Sequence, residues 1–209
     1  MTAGSTFDGR AITWDDEPRR TELARKVADA VIEGVRPTSA MDALDYGCGT
    51  GLVTMLLQPH VRSITGVDSS KGMLEVLARK ISETGVGNVH QVWFDPERGE
   101  CPAGQYHLVV SSMTLHHVAD LPALVQLFHD LLLPGGTLCL ADLDREDGTF
   151  HDDHAGVFHM GLERGYLAGL LEQAGFSGVS DTTAAVIRKG AGDASREYPV
   201  FLITARRAK

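Results

Sequence analysis

Short apolar runs alternate with segments of helical periodicity along most of this chain. The apolar runs occupy residues 43–46, 63–68, 89–94, 106–112 and 137–143. The segments with apolar side chains at helical spacing occupy residues 17–34, 70–85 and 121–133. Continuous apolar strands separated by helices are typical of a parallel sheet that is covered on both faces. The alternation therefore predicts an α/β fold around a parallel sheet.

The last third of the chain breaks this alternation. Residues 144–160 are polar and acidic, and we expect a long loop with some local helix there. A helix is predicted at 162–175, followed by two β-like runs at 179–190 and 197–207. The connection between these two runs is far too short for a crossover helix, so they must be antiparallel. The sequence thus predicts a seven-stranded, mostly parallel sheet with helices on both faces and a C-terminal antiparallel β-hairpin.

A glycine-rich loop follows the first predicted strand. Residues 45–51 read Asp-Tyr-Gly-Cys-Gly-Thr-Gly, and glycines in such a place let the backbone turn tightly and approach a ligand closely. Asp68 ends the second predicted strand, 21 residues after Gly47. A carboxylate there can accept hydrogen bonds from both hydroxyls of a ribose. The pair of features predicts a nucleoside-binding site.

The spacing of the glycines differs from that of a dinucleotide site. A dinucleotide fingerprint reads G-x-G-x-x-G, whereas here the third glycine comes one residue early, at Gly51, and Leu52 occupies the expected position. Placement of a pyrophosphate is therefore less favoured. An NAD(P)-dependent oxidoreductase remains the alternative interpretation of this loop.

Composition limits the partners and the compartment. The chain carries 19 Lys and Arg residues against 28 Asp and Glu residues, for a formal net charge of −9. This balance disfavours a nucleic-acid or anionic-membrane partner. Cys48, Cys101 and Cys139 form no CxxC pair and fit a reducing compartment. With neither a signal peptide nor a long apolar run in view, we expect a cytoplasmic monomer or homodimer.

Several segments together resemble one enzyme family. DYGCGTG followed by GVDSS is similar to the first two motifs of the class I S-adenosylmethionine-dependent methyltransferases. LVVSSMTLHHVAD, LLLPGGTLCLADL and LLEQAGF resemble the later segments of that family, in the family's order, and the likeness covers nearly the whole chain from residue 17. FDGRAITWDDEP is similar to the short cap of small-molecule members, such as the quinone-biosynthesis C-methyltransferases.

The resemblance implies a Rossmann-like fold, S-adenosyl-L-methionine as cofactor and a small-molecule methyl acceptor. It implies that the glycine loop holds the methionine end of the cofactor, that Asp68 holds the ribose and that Asp95 binds the adenine amino group. Ser111 would offer its backbone beside the methionine moiety. The cofactor-binding residues implied in this way are Asp45, Gly47, Cys48, Gly49, Gly51, Asp68, Ser69, Met73, Asp95 and Ser111.

We assign residues 1–209 to a single methyltransferase domain, which the length of the chain fits. Residues 1–36 form an N-terminal cap and first helix, and residues 41–143 form the cofactor-binding core. Residues 144–160 form a loop or lid, and residues 161–209 form the last helix and the hairpin.

The sequence indicates the catalytic residues less clearly than the cofactor-binding residues. Methyl transfer from a sulfonium mainly requires alignment of donor and acceptor, so a base is needed only for an acceptor that is protonated at working pH. His116 and His117 follow the fourth strand and are the candidates for that base, with a structural role as the alternative. A non-catalytic protein that binds S-adenosylmethionine also stays open, because no side chain is indispensable for the displacement.

Five residues are candidates for the substrate pocket. Trp14 is interpreted either as part of an N-terminal lid or as an aromatic anchor of its segment. The histidines of loop 144–160 suggest a solvated lid more than a metal site, because their spacing does not align them on one helix face. We therefore expect no metal. The substrate-pocket candidates are Trp14, Met113, His151, His154 and His159.

Overall fold

The computed structural model describes residues 7–94, 102–190 and 195–209, and seven strands of this part of the chain form one sheet. The strands are β1 (Asp42–Tyr46), β2 (Ser63–Asp68), β3 (Val89–Trp93), β4 (Tyr106–Ser112), β5 (Leu132–Leu143), β6 (Phe176–Lys189) and β7 (Arg196–Arg207). Their order across the sheet is β3-β2-β1-β4-β5-β7-β6. β1 to β5 pair in parallel, and β7 pairs antiparallel with both β5 and β6. The predicted mostly parallel sheet with a C-terminal antiparallel hairpin is confirmed.

Helices cover both faces of this sheet, as the sequence predicts. They are α1 (Pro18–Val35), α2 (Leu52–Leu57), α3 (Lys71–Thr84), α4 (Leu121–Leu131) and α5 (Arg164–Gln173). Side chains alternate between the two faces along each strand, so each face has its own core. Ala43 and Leu108 join α1, α2 and α3 in one buried cluster, and Leu44 and Val109 join α4 and α5 in the other.

The start of β5 differs from the sequence prediction. The sequence predicts a helix up to residue 133 and a strand from residue 137, and both bounds are wrong. Leu132 already has extended backbone angles and pairs with Tyr106 of β4. Gly135, with φ +81°, lies where the β4–β5 register shifts, so the Pro-Gly-Gly segment forms an irregularity inside the strand instead of ending a helix.

The loop 144–160 contains no helix, contrary to the expectation of some local helix. Its two ends approach each other, since the N–H of Arg145 donates to the carbonyl of Leu162 at 3.1 Å. Its far part rests on the turn after β4, where the N–H of Phe158 donates to the carbonyl of His116 at 2.9 Å. Backbone contacts with the rest of the protein thus replace the hydrogen bonds that a local helix would form.

Because the strands are parallel, their carboxyl ends lie along the same edge of the sheet. The carboxyl ends of β1, β2, β4 and β5 meet there, and in sheets of this type ligands bind outside those ends. In the part of the chain that the structure describes, no helix has both the length and the apolar character needed to cross a bilayer.

Candidate active site

The glycine loop after β1 has a backbone conformation that is unfavourable for residues other than glycine. Gly47, Gly49 and Gly51 have φ of +72°, +54° and +80°. A Cβ on Gly47 would lie 2.3 Å from Oγ1 of Thr114, and one on Gly51 would lie 2.4 Å from a methyl group of Leu77. A Cβ on Gly49 would meet only the sulfur of Met73, at 4.0 Å. Two glycines therefore allow close packing of the loop, whereas Gly49 leaves space beside it.

Asp68 ties the end of β2 to this loop. Its Oδ2 accepts the N–H of Gly49 at 2.8 Å, and its Oδ1 accepts the N–H of Ser70 at 2.8 Å. Burial raises the pKa of Asp68, and these two backbone hydrogen bonds oppose the rise. The carboxylate is thus held rigidly, and each of its oxygens keeps a lone pair for a further donor.

Asp45, at the end of β1, is a second buried acid at this end of the site. Its Oδ2 accepts the hydroxyl of Thr54 at 2.6 Å. Burial raises the pKa of Asp45 to about 6, and the Thr54 hydrogen bond offsets only part of that effect.

These residues line a cavity of about 390 Å³, a size suited to small molecules. Its walls come from the N-terminal segment, the glycine loop, the ends of β2 and β4, the turn after β4 and the loop 144–160. The predicted site residues among its lining are Trp14, Asp45, Gly47, Cys48, Gly49, Asp68, Ser69, Met73, Met113, His116, His117 and His151.

At the other end of the cavity a buried histidine is paired with a carboxylate. Nδ1 of His116 lies 2.6 Å from Oδ1 of Asp142, and both side chains are almost fully buried. Asp142 also accepts the N–H of His116 at 3.2 Å and that of Leu143 at 2.7 Å. Burial alone would raise the pKa of Asp142, but the charge and hydrogen bonds of His116 lower it below its usual value. The charged carboxylate therefore orients the imidazole with Nδ1–H toward it.

Two further histidines face the same space, and neither has a hydrogen-bonded carboxylate among the residues that the structure describes. The rings of His117 and His151 lie 4.1 Å and 5.0 Å from that of His116. Nδ1 of His117 is 2.7 Å from the carbonyl oxygen of Gly156. Burial, with the neighbouring His116 as a second cause, lowers the pKa of both His117 and His151 to about 4. Both rings are therefore neutral near pH 7.

The N-terminal segment, residues 7–16, closes one side of the cavity. Asp15 accepts the hydroxyl of Thr50 at 2.6 Å and pairs with Lys80 at 2.5 Å. Phe7 contacts the rings of both Trp14 and His117 edge to face, with centroids 5.8 Å and 5.2 Å apart. Trp14 thus lines the cavity and also packs on Phe7, a position that fits both the lid and the anchor interpretation.

The structure does not bring every predicted site residue to the cavity. Ser111 is buried behind it and donates its hydroxyl to the carbonyl of Tyr46 at 2.9 Å, and Gly51 supports the loop without lining the space. The rings of His154 and His159 lie within hydrogen-bond distance of backbone carbonyls and do not line the cavity. Asp95 lies outside the described residues.

Sequence reasoning missed Asp142, Arg10 and Arg20. An acid near the end of the apolar run TLCLADL, residues 137–143, was the available signal for Asp142, because a carboxylate in such a strand needs a partner. Arg10 and Arg20 both line the cavity, but nothing in their sequence context distinguishes them from surface arginines. Among the described residues, no group of three His, Cys, Asp or Glu side chains is arranged to hold a metal ion.

Comparison with known proteins identifies the family. A methyltransferase domain family matches residues 16–181, and the chain belongs to that family. The resemblance noted in the sequence is thereby confirmed for the methyltransferase class, and this class is favoured over an oxidoreductase. The narrower likeness to quinone-biosynthesis C-methyltransferases stays a prediction.

Individual relatives are similar over part of their length. An uncharacterized methyltransferase of Schizosaccharomyces pombe is 32% identical over 120 residues, which are 54% of this chain and 42% of that protein. Nocamycin O-methyltransferase of Saccharothrix syringae is 32% identical over 122 residues, which are 57% of this chain and 44% of that protein. The match thus spans less than half the length of these curated relatives.

A solved structure shows the same fold over the full chain. The complex of DhpI with S-adenosylhomocysteine superimposes with a TM-score of 0.73 at 20% identity and covers 100% of this chain and 98% of that one. At this identity the similarity is one of fold.

Proposed function

We propose that this protein transfers the methyl group of S-adenosyl-L-methionine to a small-molecule acceptor. The observation that carries the proposal is one cavity that joins the rigid glycine loop and Asp68 to a carboxylate-paired histidine. Membership in the methyltransferase domain family supports it, as does the S-adenosylhomocysteine in the DhpI complex. The four-part division of the chain and a cytoplasmic monomer or homodimer remain part of this proposal.

The cofactor end fits an adenosylated amino acid. Asp68 offers a free lone pair on each oxygen to the two ribose hydroxyls, and Gly49 leaves space for a ligand beside the loop. Met73 and Phe94 give apolar contact for an adenine ring. Asp95 is proposed for the adenine amino group on the resemblance alone. When bound, the cofactor supplies a methyl group that a sulfonium already activates.

At the acceptor end, His116 is the better of the two candidate bases. Asp142 holds Nδ1–H of His116, so the neutral form of the ring carries its lone pair on Nε2, where it can take an acceptor proton. When the acceptor oxygen, nitrogen or carbon takes the methyl group, the bond between that methyl group and the sulfur would break and leave S-adenosylhomocysteine. The acceptor's proton would pass to Nε2, and the charge of Asp142 would stabilise the resulting imidazolium. The low pKa of His117 makes it a weak base near pH 7. His117 and His151 are proposed as walls that position the acceptor.

A small acceptor is proposed from the size and charge of the site. The cavity of about 390 Å³ includes the cofactor end as well as the acceptor end, so it leaves room only for a compact acceptor. The net charge of −9 disfavours a nucleic-acid acceptor. Met113 and His151 would contact the acceptor, whereas His154 and His159 would support the loop 144–160 from behind.

Binding and transfer test the proposal separately. Calorimetry should detect S-adenosylmethionine and S-adenosylhomocysteine binding, with no binding of NAD at the same concentration. Incubation with methyl-labelled cofactor and a panel of phenolic, enolic and amine acceptors should then label one acceptor class. Binding without labelling across the panel favours the non-catalytic alternative. Binding of NAD alone overturns the proposal.

A further inference from the structure

We propose that Met113 is a specificity-determining residue whose side chain limits the size of the acceptor beside its reacting atom. This assignment rests on the proposed function and deepens it. Three observations support it: the left-handed backbone of Met113, the place of the turn that it forms, and the position of its side chain in the cavity wall.

The backbone of Met113 has a conformation that favours glycine. Its φ is +56°, in the left-handed region where a Cβ is sterically disfavoured. Among the described residues, Arg36 is the other non-glycine residue with a positive φ, at +53°. Arg36 follows the end of α1, and its N–H donates to the carbonyl of Ile32 at 2.9 Å, so it occupies a helix end where glycine is common. Met113 instead follows a strand, β4.

The turn at Met113 connects β4 to the segment that carries His116. The N–H of Met113 donates to the carbonyl of Ala141 in β5 at 2.8 Å. The hydroxyl of Thr114 then donates to the carbonyl of Ser112 at 3.1 Å, which closes the turn. Glycine at position 113 would follow the same path with less strain. The course of the backbone therefore does not by itself account for a methionine side chain.

The side chain of Met113 lies in the part of the cavity wall where methyl transfer is proposed. It is half-buried and lines the cavity, as do its neighbours Ser112 and Thr114. The hydroxyl of Thr114 also approaches the carbonyl of Gly47 in the glycine loop, at 3.4 Å, and His116 follows two residues later. Met113 is thus placed between the cofactor-binding loop and the proposed base.

The strain and the position together indicate a use for the side chain. Unfavourable backbone conformations cluster at functional sites, where the geometry that they impose is part of the mechanism. A flexible thioether side chain adapts its shape to an apolar surface, so Met113 is suited to pack against the acceptor beside the atom that takes the methyl group. A core role is the alternative, because Met113 also packs against the buried cluster that contains Ala43 and Leu108.

Thermal denaturation distinguishes the two roles, with Arg36→Gly as the matched control. Both glycine substitutions relieve a left-handed backbone and increase the freedom of the unfolded chain, and Arg36 is exposed and remote from the cavity lining. The Tm of Arg36→Gly should change by at most about 4 °C, and that of Met113→Gly should lie within about 3 °C of it. Loss of a core side chain would instead lower the Tm of Met113→Gly by at least about 5 °C relative to the control.

Acceptor selectivity tests the role directly. The two substrates are the acceptor that the wild type labels best in the panel and its analogue with one methyl group beside the reacting atom. In Met113→Gly the ratio of kcat/KM for the analogue to kcat/KM for the parent acceptor should increase at least tenfold, because the pocket gains room. Met113→Leu keeps an apolar side chain of similar volume, so this ratio should stay within threefold, as it should in Arg36→Gly. The affinity for S-adenosylhomocysteine should stay within threefold in all three variants.

Each of three results overturns the assignment. A Met113→Gly protein that does not fold, or that melts at least about 5 °C below Arg36→Gly, assigns Met113 to the core. An unchanged selectivity ratio means that another residue limits the acceptor. A tenfold loss of affinity for S-adenosylhomocysteine means that Met113 contacts the cofactor instead. If the wild type labels no acceptor, the proposed function itself fails, and this assignment fails with it.

Discussion

Two buried aspartates, Asp45 in the cavity lining and Asp142 behind His116, respond to burial in opposite ways. Among the described residues, Asp45 in β1 has one side-chain hydrogen-bond partner, the hydroxyl of Thr54, and burial raises its pKa to about 6. Asp142 in β5 is as deeply buried, yet its pKa falls below the usual value, because His116 is its partner and two backbone N–H groups bond to it. Burial sets the same desolvation cost for both acids, and the partners decide which carboxylate is charged.

We propose that the side of the cavity at Asp68 and the side at His116 carry different chemistry. At the glycine-loop end, Asp68 is fixed by backbone donors and offers its oxygens to a ligand. At the histidine end, the charge of Asp142 acts on His116. Asp142 itself does not line the cavity and influences it only through that side chain. The first end is suited to binding, and the second to holding a proton.

The largest effect is expected from Asp142→Asn. The substitution removes the charge that stabilises protonated His116, so turnover of an acceptor that must lose a proton should fall by about 10²- to 10⁴-fold. Cofactor affinity should stay within threefold, because the change lies at the other end of the cavity. Steady-state kinetics and calorimetry measure the two quantities.

The pH dependence of the Asp142→Asn variant sharpens this test. Turnover of a phenolic acceptor should recover as the pH approaches the acceptor's own pKa, because an already ionised acceptor needs no base. A loss that is the same at every pH would instead assign His116 and Asp142 to the shape of the pocket.

Asp68→Ala should weaken cofactor binding by about 2–3 kcal/mol, the value of charge-assisted hydrogen bonds to a ribose. Asp68→Asn should lose less, since it keeps one acceptor oxygen. Calorimetry with S-adenosylhomocysteine gives the affinities. Asp29→Ala, which removes an exposed carboxylate on α1, is the control and should bind as the wild type does. Unchanged affinity in Asp68→Ala would mean that the ribose is held elsewhere.

Asp45→Asn should stabilise the ligand-free protein at high pH. The unfolded chain ionises Asp45 near 3.8 and the folded protein at about 6, so stability is lost as the pH rises between these values. At pH 8 the free energy of unfolding should therefore rise by about 2–3 kcal/mol in the variant, and near pH 4 by less than about 1 kcal/mol. Denaturant titrations at the two pH values measure this, and equal gains would rule out the ionisation as the cause.

Most of the fold follows from the sequence, because its elements have local signals. The apolar runs at 63–68 and 106–112 coincide with β2 and β4, and the short junction after residue 189 already required an antiparallel hairpin. The start of β5 did not follow, because Pro-Gly-Gly normally ends an element. Pairing of Leu132 with β4 overrides that local preference.

The site was predictable where one segment carries it and not where two distant segments meet. The spacing of the glycine loop and Asp68 predicts from the sequence that they lie together, and the hydrogen bond from Gly49 to Asp68 confirms this contact; their role in binding the cofactor stays a prediction. The choice between His116 and His117 depends on Asp142, 26 residues away, and the stacking of Arg20 on Trp14 depends on how the N-terminal segment folds back. Neither contact leaves a periodic signal.

The length of β5 also determines where a label can be attached to the protein without disturbing the cavity. Asp142, near one end of β5, reaches the cavity through His116, whereas Leu132, at the other end, accepts a hydrogen bond from Arg207, the last residue of β7. A strand of this length spans roughly 35 Å. A fluorescent label attached at Lys209, which lies beside Gly135 of β5, is therefore at the edge of the sheet remote from the cavity. A label attached at Phe7 would instead lie in the cavity wall.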